Sequence, residues 1–265
     1  MLNNSGLMMR ITMKQLLLLV LLILPMHANS SGEIGIPAKG GFPEYLFLEK
    51  VDEAEAKSTA EMITKAIALG RLVIFAQMGK LTDPELGDKG FTGAVFLSQW
   101  ESSLEAEFMG ASPAQQRIID KLLWAGKLSI DNNQDRLNVK GVKWKHFLPA
   151  KWARETGLMF NSRTGIVTKQ PSVNYRHPSN APDAKEIEVL TELIKAGKDA
   201  KPVGEYAMMG KQKVYRYFDP IYLMPPCLAC HGKPKGELDM LGFQKDGFED
   251  GDLIGVISVA VPVKE

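Results

Sequence analysis

Cys227-Leu228-Ala229-Cys230-His231 concentrates the chemistry of this chain, and both of its cysteines lie in that string. C-x-x-C-H is the attachment signature for c-type haem. Each thiol adds to a haem vinyl group as a thioether, and the following imidazole becomes the proximal iron ligand. The two-residue spacer lets both sulfurs reach one porphyrin edge. The string therefore predicts a single covalent haem c on Cys227 and Cys230, with His231 on the iron.

Two other chemistries use a Cys-x-x-Cys pair. A structural zinc site would need two further ligands from elsewhere, because the chain has no third cysteine. A thioredoxin-like dithiol should open a helix in a βαβ setting. Here Met224-Pro225-Pro226 precedes the pair and Gly232-Lys233-Pro234 follows it, which places the string in a proline-rich loop. A thiol–disulfide oxidoreductase using Cys227 and Cys230 is the alternative reading.

The opposite face of an iron held by His231 has several candidates. His146 and His177 offer nitrogen; Met78, Met208 and Met209 offer sulfur. His146 is preferred as distal ligand, because Trp144, Phe147 and Leu148 around it could wall a haem. A vacant or water-bound position is the remaining option. Arg176 and nearby lysines are candidates for pairing with haem propionates.

The elements that must position these groups change character along the chain. Tyr45 to about Gln77 reads as a helix, with Leu46, Val51, Ala54, Ala60, Ile63, Ile67 and Leu69 on its apolar face. Residues 79–93 read as a loop, and Ala94 to Phe108 as a second helix. Ser112-Pro113-Ala114-Gln115 is a capping box opening a third helix with the stripe Ile118, Ile119, Leu122 and Leu123. Asp131 to Gly141 is polar and loop-like, and Pro149 starts a helix through Phe160. Short strands are expected at Ile166–Lys169 and Ser172–Tyr175. Asp183 caps a helix carrying Ile187, Leu190, Leu193 and Ile194. A hairpin is expected from Gly204–Met208 and Lys211–Phe218, and a final strand over Leu253–Val263. Helices first and strands afterwards make an α+β fold, with the haem string on a loop between C-terminal strands.

Arg10 and Lys14 precede Leu16–Leu24, an apolar run broken by Pro25 and followed by the small residues Ala28, Ser30 and Ser31. This reads as a secretory signal peptide over 1–30, too short to span a bilayer and without the cysteine of a lipoprotein anchor. Residues 31–44 then form a flexible lead-in and 45–265 one domain. A periplasmic location follows, with no membrane span after signal removal. The 32 basic and 31 acidic residues give a net charge of +1, which points to no nucleic acid partner. Small class I cytochromes carry the motif near their N-terminus, and four-helix-bundle cytochromes carry it on a terminal helix. Neither arrangement matches.

The chain resembles a bacterial family of periplasmic c-type haem-binding domains with a PAS-like fold. The resemblance rests on GDKGFT at 87–92, HFLPAKWARETGLMF at 146–160, SVNYRHPSNAPD at 172–183, YRYFDPIYLMPPCLACHG at 215–232 and GDLIGVISVAVPV at 251–263. It implies a PAS-like antiparallel sheet with N-terminal helices, thioether roles for Cys227 and Cys230, and an axial role for His231. Members occur alone or as sensing domains of kinases and chemoreceptors. Two departures stand out. Some members use a cysteine thiolate as sixth ligand, which this chain lacks, and His177 stands where the family segment usually has Asn. The expected role is a redox or ligand sensor module, or a small electron carrier, and not an enzyme beyond weak peroxidase-type chemistry. A redox partner or sensor output protein would complete either role.

Overall fold

The structure is a computed structural model in which residues 49–105 and 108–264 are described. The leader expected at 1–30, the lead-in at 31–44 and the start of the first helix at 45–48 lie outside them. Among the described residues, six α-helices precede the first strand: α1 (Glu53–Ala76), α2 (Met78–Leu81), α3 (Gly93–Leu104), α4 (Pro113–Asp131), α5 (Gln134–Leu137) and α6 (Pro149–Thr164). The first helix begins later than expected because Val51 is extended, paired in parallel with Val263. Backbone bonds Val51 N to Pro262 O (3.1 Å) and Lys264 N to Val51 O (2.9 Å) commit that stretch to the sheet. Short helices α2 and α5 appear where loops were expected.

The capping box of α4 forms as written in the sequence. Ser112 accepts from the Gln115 N–H, and the Gln115 side chain accepts from the Ser112 N–H. Ile118, Ile119 and Leu122 are buried along its stripe. Helices α1, α3, α4 and α6 meet around Trp100 and Trp152, whose rings pack edge-to-face 5.1 Å apart. Each indole is satisfied: Trp100 Nε1 donates to Ala66 O (2.8 Å) and Trp152 Nε1 to Gly126 O (3.0 Å). A Cβ on Gly70 would come within 2.2 Å of the Trp152 ring. Absence of a side chain there is what lets α1 approach.

The sheet is antiparallel, in the order β1 (Val167–Lys169), β4 (Leu253–Pro262), β3 (Gln212–Tyr222), β2 (Val203–Met209). Helix α7 (Ala184–Ala196) lies between β1 and β2 in sequence. Strand alternation divides the core. Tyr215, Tyr217, Ile257, Val259 and Val261 join the helical cluster, whereas Phe218 and Val256 join Val189, Leu190 and Leu193 of α7. Ile187 and Ile194, expected on that face, are about half exposed (50% and 47%), because Val189 takes their place. The α+β expectation holds, with the sheet carried by the C-terminal half.

The strand expected at Ser172–Tyr175 does not form. Ser172 Oγ donates to Ile254 O (2.6 Å) and accepts from Asn174 N–H (3.2 Å), so side-chain bonds replace a ladder. A further bond, Val256 N to Pro171 O (3.1 Å), ties the segment to β4. A Cβ on Gly255 would lie 2.4 Å from that carbonyl oxygen, so glycine permits the approach. No helix among the described residues is long and apolar enough to cross a membrane.

Candidate functional site

Strands β3 and β4 are neighbours, and residues 223–252 leave one and return to the other. The neck is closed by Leu223 N to Asp252 O and Gly251 N to Leu223 O, both 2.9 Å. The expected placement between C-terminal strands is thus found, but the string itself is not loop. Pro225–Cys227 forms a 3₁₀ turn and Leu228–His231 a single α-turn, α8. The prolines expected to keep the string irregular sit at the first positions of the turn, where a fixed φ and a missing N–H cost nothing.

Three groups hold this turn. Phe248 N–H donates to His231 O (3.0 Å) and Gly247 N–H to Gly232 O (3.0 Å). Asp246 Oδ2 lies 2.6 Å from His231 Nδ1. Arg176, arriving from the segment docked on β4, donates to Cys230 O (2.7 Å), Gln244 O (3.2 Å), Asp239 Oδ2 (2.6 Å) and Asp246 Oδ2 (3.3 Å). Asp239 also accepts from the N–H groups of Leu241 (2.8 Å) and Phe243 (3.0 Å). Burial would raise its carboxyl, but those two amides and Arg176 outweigh it and hold it below the ordinary carboxylate range.

These groups bear on the protonation of His231. Burial pushes the imidazole below its ordinary value, and Arg176 adds to the push against Asp246. A neutral ring whose Nδ1–H donates to a carboxylate keeps its Nε2 lone pair outward. Burial and Asp239 together push the Cys230 thiol up.

Cys230 and His231 open on a cavity of about 430 Å³, within the range of small-ligand sites. His146 and His177 line the same cavity, so both nitrogen candidates converge on it. They differ in readiness. His177 Nδ1 caps the turn Pro178–Asn180, accepting from Ser179 N–H at 3.2 Å with Ser179 Oγ at 2.7 Å. A neutral ring with Nδ1 accepting carries its proton on Nε2. Burial, then Arg154 and Lys151, hold this imidazole below its ordinary value. His146 is exposed and adopts φ 54°, the left-handed region, alone among the described non-glycine residues.

The methionine candidates do not reach the cavity. Met208 is exposed on β2, Met209 packs against Val167, Val214 and Ala260, and Met78 packs against the helical core. Arg176 is also not available in the role expected of it, because its fork is already bonded to two carboxylates and two carbonyls.

Sequence reasoning missed Asp239, Asp246 and Arg71. The two acids follow the string within the same connection, the only signal they give. Arg71 stands in the apolar run of α1, GRLVIF, and lines the cavity with Arg136, Lys151, Arg154 and Arg176. No Asp or Glu among the described residues lines it. Burial pushes Arg71 down to about 10, against a small opposing pull from Cys227.

A crystal structure of the cyanobacterial heme-protein Tll0287 is similar over 58% of this chain and 99% of that one, at 20% identity and a TM-score of 0.38. No curated protein matches the chain. The Tll0287-like family model matches residues 50–262, from just before the sheet-paired Val51 to the end of β4. That span contains four of the family-like strings and all but the last residue of the fifth, and the chain belongs to the Tll0287-like family.

Proposed function

We propose that the protein is an exported monohaem c-type redox protein, with Cys227 and Cys230 bonded to the haem vinyl groups and His231 as proximal iron ligand. One observation carries the reading: Nδ1 of His231 is engaged by Asp246 Oδ2 at 2.6 Å, which leaves Nε2 for a metal, beside a cavity lined by cations and, among the described residues, by no carboxylate. Those residues fit the group. A ferric porphyrin with two propionates is an anionic periphery around a cationic metal, and the cavity offers guanidinium donors to the first and an imidazole to the second. The family takes its name from Tll0287, a heme-protein, which supports the assignment. When bound, the haem supplies a one-electron iron couple.

The chain's own residues set that couple's surroundings. Asp246 increases the basicity of His231 and fixes its ring. Arg176 locks the turn by its bond to Cys230 O and joins it to Asp239 and Asp246. His146 is the distal ligand in this reading: it lines the cavity, has no hydrogen bond among the described residues, and holds a backbone conformation that costs energy. A His146-ligated iron favours electron transfer; an open position favours sensing of a small ligand. We read the antiparallel sheet with its helices as a PAS-like module, and Leu16–Leu24 with its basic and small-residue flanks as the export signal that brings the chain to the periplasm.

The alternative, thiol–disulfide exchange, wants a lowered thiol pKa, and Cys230 is pushed the other way. Mass spectrometry after denaturation tests the proposal. Mass increased by one haem supports it; free thiols without haem overturn it. Optical spectra with and without carbon monoxide then read the distal side, ready binding to the reduced protein contradicting ligation by His146.

A further inference from the structure

Among the described residues Arg71 has no counter-ion. Its Nε is buried and makes no hydrogen bond, and no carboxylate among the described residues pairs with it. Arg154, on α6, lines the same cavity and likewise has no hydrogen bond or ion pair among the described residues. Its neighbour Glu155 is already bonded to Lys151, Ser129 Oγ (2.9 Å) and Asn133 Nδ2 (2.8 Å). An unpaired interior guanidinium is costly unless an anion completes it. Arg154 is only partly buried, but it adds a second guanidinium to a wall on which no carboxylate lies among the described residues, so the cavity offers donors to two anionic groups.

We infer that Arg71 and Arg154, and not Arg176, are the anchors for the two propionate carboxylates of the haem. The inference rests on the haem reading above. A guanidinium fork matches a carboxylate in plane and donates two parallel N–H groups, which a lysine does not reproduce. Arg176 spends its fork on Asp239, Asp246 and two carbonyls, whereas Arg71 and Arg154 keep theirs.

The test uses the full chain produced with c-type haem maturation, as wild type, Arg71→Leu, Arg71→Lys and Arg154→Leu. Covalent haem after denaturation reports on the haem reading, and the midpoint potential reports on the anchors. Removing a cation near the haem favours the ferric form. Arg71→Leu should keep its haem and shift the one-electron equilibrium about tenfold toward ferric, roughly 59 mV downward. Arg154→Leu should move the same way, and Arg71→Lys should recover part of the shift. A second readout separates anchoring from a structural role. In the haem-free Cys227→Ala/Cys230→Ala chain, Arg71→Leu should raise the melting temperature, because an unpaired buried charge is removed. In the haem-bearing chain it should lower it. Haem retained with unchanged potentials in both leucine variants overturns the anchors and leaves the haem reading standing. Wild type without haem overturns both.

Discussion

His231 Nδ1 and Asp246 Oδ2 are 2.6 Å apart, and that contact decides which imidazole nitrogen is left free. Asp246→Asn keeps the shape but weakens the acceptor. The ring becomes less basic and stabilises ferric iron less. The midpoint potential should rise, by about one decade in the one-electron equilibrium, roughly 59 mV. Potentiometric titration of the haem-bearing protein checks it; an unchanged potential would show that Asp246 does not tune the ring.

Arg176 carries two carboxylates, one of them, Asp239, with a wholly buried side chain. Arg176→Leu leaves both without their cation, a loss of about 3–5 kcal/mol by comparison with other broken buried pairs. Denaturant unfolding measures the total. Hydrogen exchange should place the loosening in residues 223–252, and Arg176→Lys should not restore it because the fork is lost.

Gly255→Ala sets a Cβ 2.4 Å from the Pro171 carbonyl, backbone against backbone. The cost should be about 1–3 kcal/mol, and it should fall on the segment that delivers Arg176 and His177. Gly79→Ala, where a Cβ meets nothing, is the control and should change stability by little in either direction.

Helix α7 is pinned to the sheet by an ionic group. Lys169 pairs with Glu186 (2.9 Å), and Arg216 bonds Asp183 (2.8 Å) and Glu186 (3.4 Å). Burial would raise the Asp183 carboxyl, but hydrogen bonds from Arg216 and the Glu186 N–H outweigh it and hold it below the ordinary range. A depressed carboxyl stabilises the fold above its unfolded value of about 3.9 and loses that contribution as pH falls through the lower folded value. Asp183→Asn should therefore lower stability at neutral pH and flatten the acid limb of the stability–pH curve. Urea midpoints from about pH 2 to 7 would show it; parallel curves for variant and wild type would refute it.

His146→Asn removes an imidazole while keeping a residue that tolerates the left-handed backbone. The haem-bearing variant should lose the six-coordinate spectrum and bind carbon monoxide on reduction. An unchanged spectrum would remove His146 from the iron.

Both capping boxes and the β2–β3 hairpin were legible because each is a local pattern. Ser112 with Gln115, and Asp183 with Glu186, fix helix starts within four residues. The gaps lie where the deciding partner is distant. Ser172–Tyr175 looks like a strand until Ile254 is seen to take the Ser172 hydroxyl. Arg176 looks like a surface cation until Asp239 and Asp246 reach it from the β3–β4 connection. Ile187 and Val189 compete for one face, and only the position of β4 decides between them.

In the haem c reading, Cys227 to His231 is complete in five consecutive residues, available to an attachment enzyme that reads extended chain. The rest of the site is not. Arg176 meets Cys230 across 54 positions and Asp246 across 70, and Arg71 arrives from the first helix. Contacts of such sequence separation form late, after the chain has closed its long loops. The attachment signature and its protein surroundings thus belong to different stages of folding. A fragment bearing only the β3–β4 connection would keep the first together with Asp239 and Asp246, and would lack Arg71, Arg176, His146 and His177.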